Sequence, residues 1–211
     1  MTAAPFIAFA CASSAEAGVH GAALQASDTA AVRAEVGMAG ALPTVLLGGS
    51  AGVSDRVDLG AHAVTHAGLA FAYGATVRWR FADAVGAGLT LDESLYTLEN
   101  LAGIESLRSP FGNRVALTPQ LLGSTTSAAN VDFGWTAGAA VGIVRLEQGP
   151  DTVVRRVRPA VDDVWAELAA SWPREQGAFF VRFRAIVPVS EPFHVLGYLP
   201  WVAVGRSWGL P

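Results

Sequence analysis

Arg78 and Arg80 stand two residues apart, and so do Arg182 and Arg184. In an extended chain that spacing puts both guanidiniums of a pair on one face, because successive side chains point to opposite sides. Arg33, Glu35, Asp58, Asp163 and Glu167 are charged residues of other segments that can face them. Two chemistries fit such a set. Ions removed from water must pair, because desolvation costs several kcal/mol per ion, so the set can form a salt-bridged plug. Alternatively, the guanidiniums form a cation-lined constriction that favours anionic solutes. The inward charges expected from the sequence are therefore Arg33, Glu35, Asp58, Arg78, Arg80, Glu167, Arg182 and Arg184.

Other reactive residues carry less. His62 and His66 share a face of an extended segment but stand roughly 13 Å apart along it, too far for one metal ion. Their run, His-Ala-Val-Thr-His, lacks the glutamate of a helical zinc motif. Ser190, Glu191 and His194 form the one compact hydrolase-like grouping, with nothing to fix its geometry. There is no phosphate loop and no dinucleotide fingerprint. Cys11 is the single cysteine, which excludes an intramolecular disulfide and a cysteine-based zinc site. No cofactor, no metal and no catalytic residue are expected.

The elements that would hold these charges are strands. Between Gly68 and Phe81 every second residue is apolar (Leu69, Phe71, Tyr73, Ala75, Val77, Trp79, Phe81), and the alternate face is small or cationic. That length crosses a bilayer, which takes about 9–11 residues of tilted strand. The same alternation runs through 56–66, 131–143 and 179–189, and more weakly through 32–39, 43–53, 84–91, 114–121, 163–172 and 196–208. Together these make about ten strands. Residues 36–54 and 59–77 carry no charge and are long enough for transmembrane helices. The first, however, is broken by five glycines and a proline, and the second has period two.

Only 15% of residues are charged and the chain has 23 glycines, against about 25% charged in ordinary soluble domains. All fourteen basic residues are arginine, and the net charge of −4 argues against nucleic-acid binding. Residues 1–30 read as an exported N-terminal segment, a partial signal peptide or a tail. Its alternatives for cleavage are Ala8-Phe9-Ala10 and Ala15-Glu16-Ala17, and Ala10-Cys11 resembles a partial lipobox. Residues 31–211 form one barrel domain.

Gly52-Val-Ser-Asp-Arg-Val-Asp-Leu-Gly60 resembles a phrase common in bacterial outer-membrane β-barrel proteins, in which a strand turns through Ser-Asp-Arg into the next. Residues 75–81 and the closing 197–208 look like barrel strands too, although the chain ends Trp208-Gly-Leu-Pro rather than on an aromatic residue. The resemblance implies an antiparallel up-and-down transmembrane β-barrel of about ten strands, within a range of eight to twelve. Strand counting places the short links at 54–55, 82–83, 123–129 and 173–177 on the periplasmic side. It places the long links at 92–113 and 146–162 on the outer side, the former with helical spacing and the latter carrying Arg155, Arg156 and Arg158 toward lipopolysaccharide phosphates. Trp79, Phe81, Phe133, Trp135, Trp172, Phe179 and Trp208 gather near periplasmic strand ends as a membrane-interface girdle. The expectation is a porin-like, non-enzymatic protein of a Gram-negative outer membrane, structural or serving small-solute passage or binding. Its partners would be outer-membrane lipid and lipopolysaccharide, with no nucleic acid. Two alternatives stand: a soluble or lipid-anchored β-barrel binding an apolar ligand, and an outer-membrane lipid-modifying enzyme.

Overall fold

The computed structural model describes residues 29–39, 42–67, 70–96, 114–148, 153–175, 177–189 and 200–210. Ten strands follow one another: β1 (Ala30–Ala39), β2 (Leu42–Ser54), β3 (Val57–His66), β4 (Ala70–Ala82), β5 (Val85–Tyr96), β6 (Arg114–Thr126), β7 (Asp132–Gln148), β8 (Val153–Arg174), β9 (Gly177–Pro188) and β10 (Trp201–Leu210). Each pairs antiparallel with its chain neighbours, and β1 pairs with β10 from Ala30↔Leu210 to Ala39↔Trp201. The sheet is therefore a closed up-and-down barrel. Closure leaves no open edge strand, so each strand pairs with a neighbour on both sides.

Alternation decides which face is which. On β4, Phe71, Tyr73, Val77, Trp79 and Phe81 are exposed, while Ala72, Thr76 and Arg78 line the interior. On β9, Phe179, Val181, Phe183 and Val187 point out and Phe180, Arg182 and Arg184 point in. The bulky row is thus the outside of the molecule, and the small and charged row is the inside.

The interior is tight because large inward side chains lie over glycines of the adjacent strand. Gln120 covers Gly88, its register partner: a methyl on Gly88 would sit 2.6 Å from the Gln120 amide nitrogen. Trp165 covers Gly138 in the same way, at 2.9 Å. Phe180 covers Gly205, and Leu122 covers Gly86, burying both large side chains almost completely. Such pairing of large with small lets a narrow barrel fill without overpacking. Gly177, which opens β9, has φ +126°, a region open to glycine and strained for any other residue.

Three links differ from the sequence reading. The 92–113 link is shorter than expected, because β5 runs on through Tyr96; residues 97–113, with their helical spacing, lie outside the described residues. The 146–162 link is mostly sheet: β7 continues to Gln148 and the 22-residue β8 begins at Val153, so Arg155, Arg156 and Arg158 stand on a strand rather than in a loop. The reason is the pairing Arg145↔Arg156 through Gln148↔Val153, a ladder that polarity alone had disguised as a loop. Third, β10 is described from Trp201, and residues 196–199 of the expected run lie outside the described residues. Residues 1–28 with Cys11, and Ser190, Glu191 and His194, lie outside the described residues.

Candidate functional site

The barrel encloses a cavity of about 310 Å³ that runs from Ser207 and Leu122 near the tight-turn end to Trp201 and Asp163 near the other. Its charged and histidine side chains come from seven strands, placed by the period-two alternation of their own segments.

The centre is a chain of alternating ions. Arg33 Nε lies 3.5 Å from Glu35 Oε1. Glu35 Oε2 is 2.5 Å from Arg182 Nη2, and Arg182 Nη1 donates to Glu167 Oε2 at 2.9 Å. Glu167 Oε2 also accepts from Arg184 Nε at 2.9 Å. The chain thus joins β1, β8 and β9. Arg182 reaches β1 because the register continues from it through Ala203 to Gly37, neither of which obstructs it. The carboxylates are the hidden members: the Glu35 side chain is 1% exposed and that of Glu167 8%, against 28% for Arg33 and 25% for Arg184.

Three further pairs hold the flanks. Asp58 and Arg78 are register partners on β3 and β4 and form a bidentate pair with both guanidinium nitrogens donating, one at 2.8 Å. Arg114 Nε donates to Asp162 Oδ2 at 2.7 Å and its Nη2 lies 3.5 Å from Asp163. A register shift between Ala140 and Val141 turns Asp162 inward beside Asp163, although they are sequence neighbours. His62 Nε2 lies 3.0 Å from Asp92 Oδ1, bridging over Gly74, the residue between them in register. A side chain at Gly74 would collide with both.

Of the eight inward charges read from the sequence, seven sit in these interior pairs. Arg80 does not: its Nη2 donates to the backbone carbonyl of Asp55 at 2.7 Å, in the turn between β2 and β3. It has the right parity but stands too near the strand end to reach the cavity. His62 and His66 do not meet, and among the described residues no group of three His, Cys, Asp or Glu side chains is placed to hold a metal.

Two interior tryptophans escaped the sequence reading. Trp201 is buried, with the Arg182 guanidinium 4.2 Å from its ring centroid and that of Arg184 at 5.5 Å. Arg184 also lies 4.3 Å over Trp165. Such stacking stabilises a guanidinium beyond its ion pairs. In β10 both alternate rows are apolar, Trp201 and Ala203 inside and Val202 and Val204 outside, so no contrast marked the indole as inward. Trp165, between Val164 and Ala166, has the same cover.

The aromatics expected to form a girdle stand on the outer wall at one end of the barrel. Trp79, Phe81, Phe133, Trp135, Trp172 and Phe179 are exposed, and Trp208 is partly so. Trp79 meets Phe81 edge-on at 5.9 Å, and Trp172 and Phe179 are register partners. Trp135 lies across Gly123, its partner on β6, whose bare backbone makes room for the ring. Arg206 departs from the inward rule: its guanidinium lies on the outside, 5.1 Å from Phe179 and 5.4 Å from Trp208.

No protein-family model matches the chain, and no curated protein matches its sequence. Among solved structures the chain is similar to the KdgM porin, at 9% identity and a TM-score of 0.45, over 84% of this chain and 98% of that one. It is similar to the COG4313 outer membrane channel from Pseudomonas putida F1, at 9% identity and a TM-score of 0.40, over 94% of this chain and 100% of that one. It is also similar to the N-terminal β-barrel domain of Pseudomonas aeruginosa OprF, at 10% identity and a TM-score of 0.35, over 88% and 100%.

Proposed function

We propose that the chain is a non-enzymatic β-barrel of a Gram-negative outer membrane whose lumen binds or passes small solutes, with a preference for anions. One observation carries the membrane placement. Twenty-nine large apolar side chains are exposed on the described surface, drawn from all ten strands, while the ionic pairs are inside. A soluble monomer rarely exposes a contiguous apolar patch beyond a few hundred Å², and a soluble barrel would carry the opposite polarity. Hydrocarbon is the medium that suits this exterior, with the aromatic ring at one end as its interfacial girdle.

The preference for anions comes from which ions line the space. Arg33, Arg78, Arg114, Arg182 and Arg184 line the cavity, against Asp92, Asp163 and Glu167. Glu35, Asp58 and Asp162 stand behind their arginines and are almost fully buried. A solute therefore meets five guanidiniums and three carboxylates.

A second reading, a plugged structural barrel, is favoured by the Arg33–Glu35–Arg182–Glu167–Arg184 chain, which fills the side of the interior from β8 to β1. Barrels of about eight strands are filled by their side chains, while aqueous channels belong to far wider ones. Planar-bilayer recording separates the two. Passage requires small single-channel steps whose reversal potential under a potassium chloride gradient favours chloride. Incorporation without steps supports the plug, and cation preference contradicts the anion reading. Stable, monodisperse protein in plain buffer would contradict both.

A further inference from the structure

We infer that the half of the lumen opposite the tight turns is a binding site for a small amphipathic carboxylate, an apolar body carrying one anionic group. The inference deepens the reading of the lumen as a solute site and rests on it.

The ionic chain supplies the anion subsite. At its β8–β9 end two guanidiniums, Arg182 and Arg184, share the one carboxylate of Glu167. At one end Arg184 shares its partner Glu167 with Arg182, lies over the cavity face of the Trp165 and Trp201 rings, and keeps a quarter of its side chain accessible. A solute carboxylate beside Arg184 would join Glu167 and Asp163 as an acid facing its guanidinium, accepting from the Nη1 that Glu167 does not use. Guanidiniums favour such planar, bidentate acceptors.

The apolar subsite adjoins it. Leu46, Val64, Trp201 and Ala203 form a buried cluster with Ala72 packed against it, and all but Ala203 face the cavity. An apolar patch inside an otherwise polar lumen has no use as a water-filled path. It suits a ligand with a hydrocarbon or aromatic body, and the 310 Å³ cavity falls at the small end of ligand pockets.

The third observation is a set of polar atoms left over. Trp201 Nε1, His66 Nδ1 and Thr44 Oγ1 are buried and find no hydrogen-bond partner among the described residues. They lie together: Thr44 and His66 are register partners on β2 and β3, and the His66 ring meets Trp201 at 5.8 Å. Thr44 is 2% exposed and Trp201 8%. Buried donors are normally satisfied, and an acceptor atom of a bound solute would satisfy the indole N–H.

Benzoate is the probe. Titration calorimetry of the refolded barrel in detergent, against protein-free micelles, should give saturable one-to-one binding. Benzyl alcohol keeps the body without the charge, and acetate keeps the charge without the body; each should bind about tenfold or more weakly. Arg184→Gln should lower benzoate affinity to that of benzyl alcohol, and Trp201→Phe should lower it several-fold while leaving the stacked ring in place. Folding of both variants is checked by heat-modifiable gel mobility. Equal binding of benzoate and benzyl alcohol, equal binding of benzoate and acetate, or a folded Arg184→Gln barrel with unchanged affinity overturns the inference. Absent binding by a barrel that inserts in lipid overturns the site and leaves the membrane reading standing. Binding with the stated selectivity by a protein stable in plain buffer upholds the site and overturns the membrane reading.

Discussion

Arg182→Leu is expected to destabilise the barrel by about 3–5 kcal/mol, the cost of leaving a buried charge without its partner. Arg182 joins two carboxylates, Glu35 and Glu167, and its own side chain is 4% exposed. Arg33 stays beside Glu35 at 3.5 Å and Arg184 beside Glu167 at 2.8 Å, so each acid keeps one contact and the loss falls mainly on Glu35, the more buried of the two. The double variant Glu35→Gln/Arg182→Met removes both charges of the pair and should recover most of the stability, because replacing a buried pair by neutral groups of similar size is often near neutral. Urea unfolding in lipid vesicles, followed by loss of heat-modifiable gel mobility, measures both. An Arg182→Leu barrel within about 1 kcal/mol of the parent would mean that water reaches Glu35 and solvates it. The ionic chain would then not be the framework of the lumen.

Val77→Arg should cost about 2–4 kcal/mol, and Phe81→Arg only about 0–1 kcal/mol. Both residues point outward on β4, Val77 near the middle of the strand and Phe81 near its end. At mid-bilayer an arginine has only hydrocarbon around it, whereas at the interface its long stem carries the charge to the headgroups. Arg206, on the outer wall between Phe179 and Trp208, already illustrates the tolerated position. Equal, small costs at both sites in lipid vesicles would place residue 77 in water. Equal, large costs would place both in packed protein.

The fold was legible because one property repeats. Strand after strand alternates bulky with small, and ten such runs closed antiparallel give the observed barrel. Where the contrast faded, the reading faded too. Residues 146–162 are polar enough to resemble a loop, yet 145–148 pair with 153–156 as β7 and β8 run on. Trp201 and Trp165 sit among apolar neighbours of both parities, so period two could not assign them a side. The inward arginines at 33, 78, 182 and 184 were readable, being charges on otherwise small rows. Who pairs with whom was not readable: Arg182 with Glu35 depends on β9 and β1 lying one strand apart across the closure. Arg114 with Asp162 depends on a register shift that no local pattern announces. Parity alone also misjudged Arg80, whose place at the strand end sends it to the Asp55 carbonyl.

The medium around β4 can be read residue by residue with a nitroxide. Single cysteines at Ala75, Thr76, Val77, Arg78 and Trp79, in a Cys11→Ser background, would be spin-labelled in barrels reconstituted in lipid. Labels at 75, 77 and 79 should collide freely with dissolved oxygen and hardly at all with a polar nickel chelate, while those at 76 and 78 show low oxygen collision. Labels at 75, 77 and 79 that meet the nickel chelate freely, or that are shielded from both reagents, would mean that water or protein, not hydrocarbon, covers the outer wall.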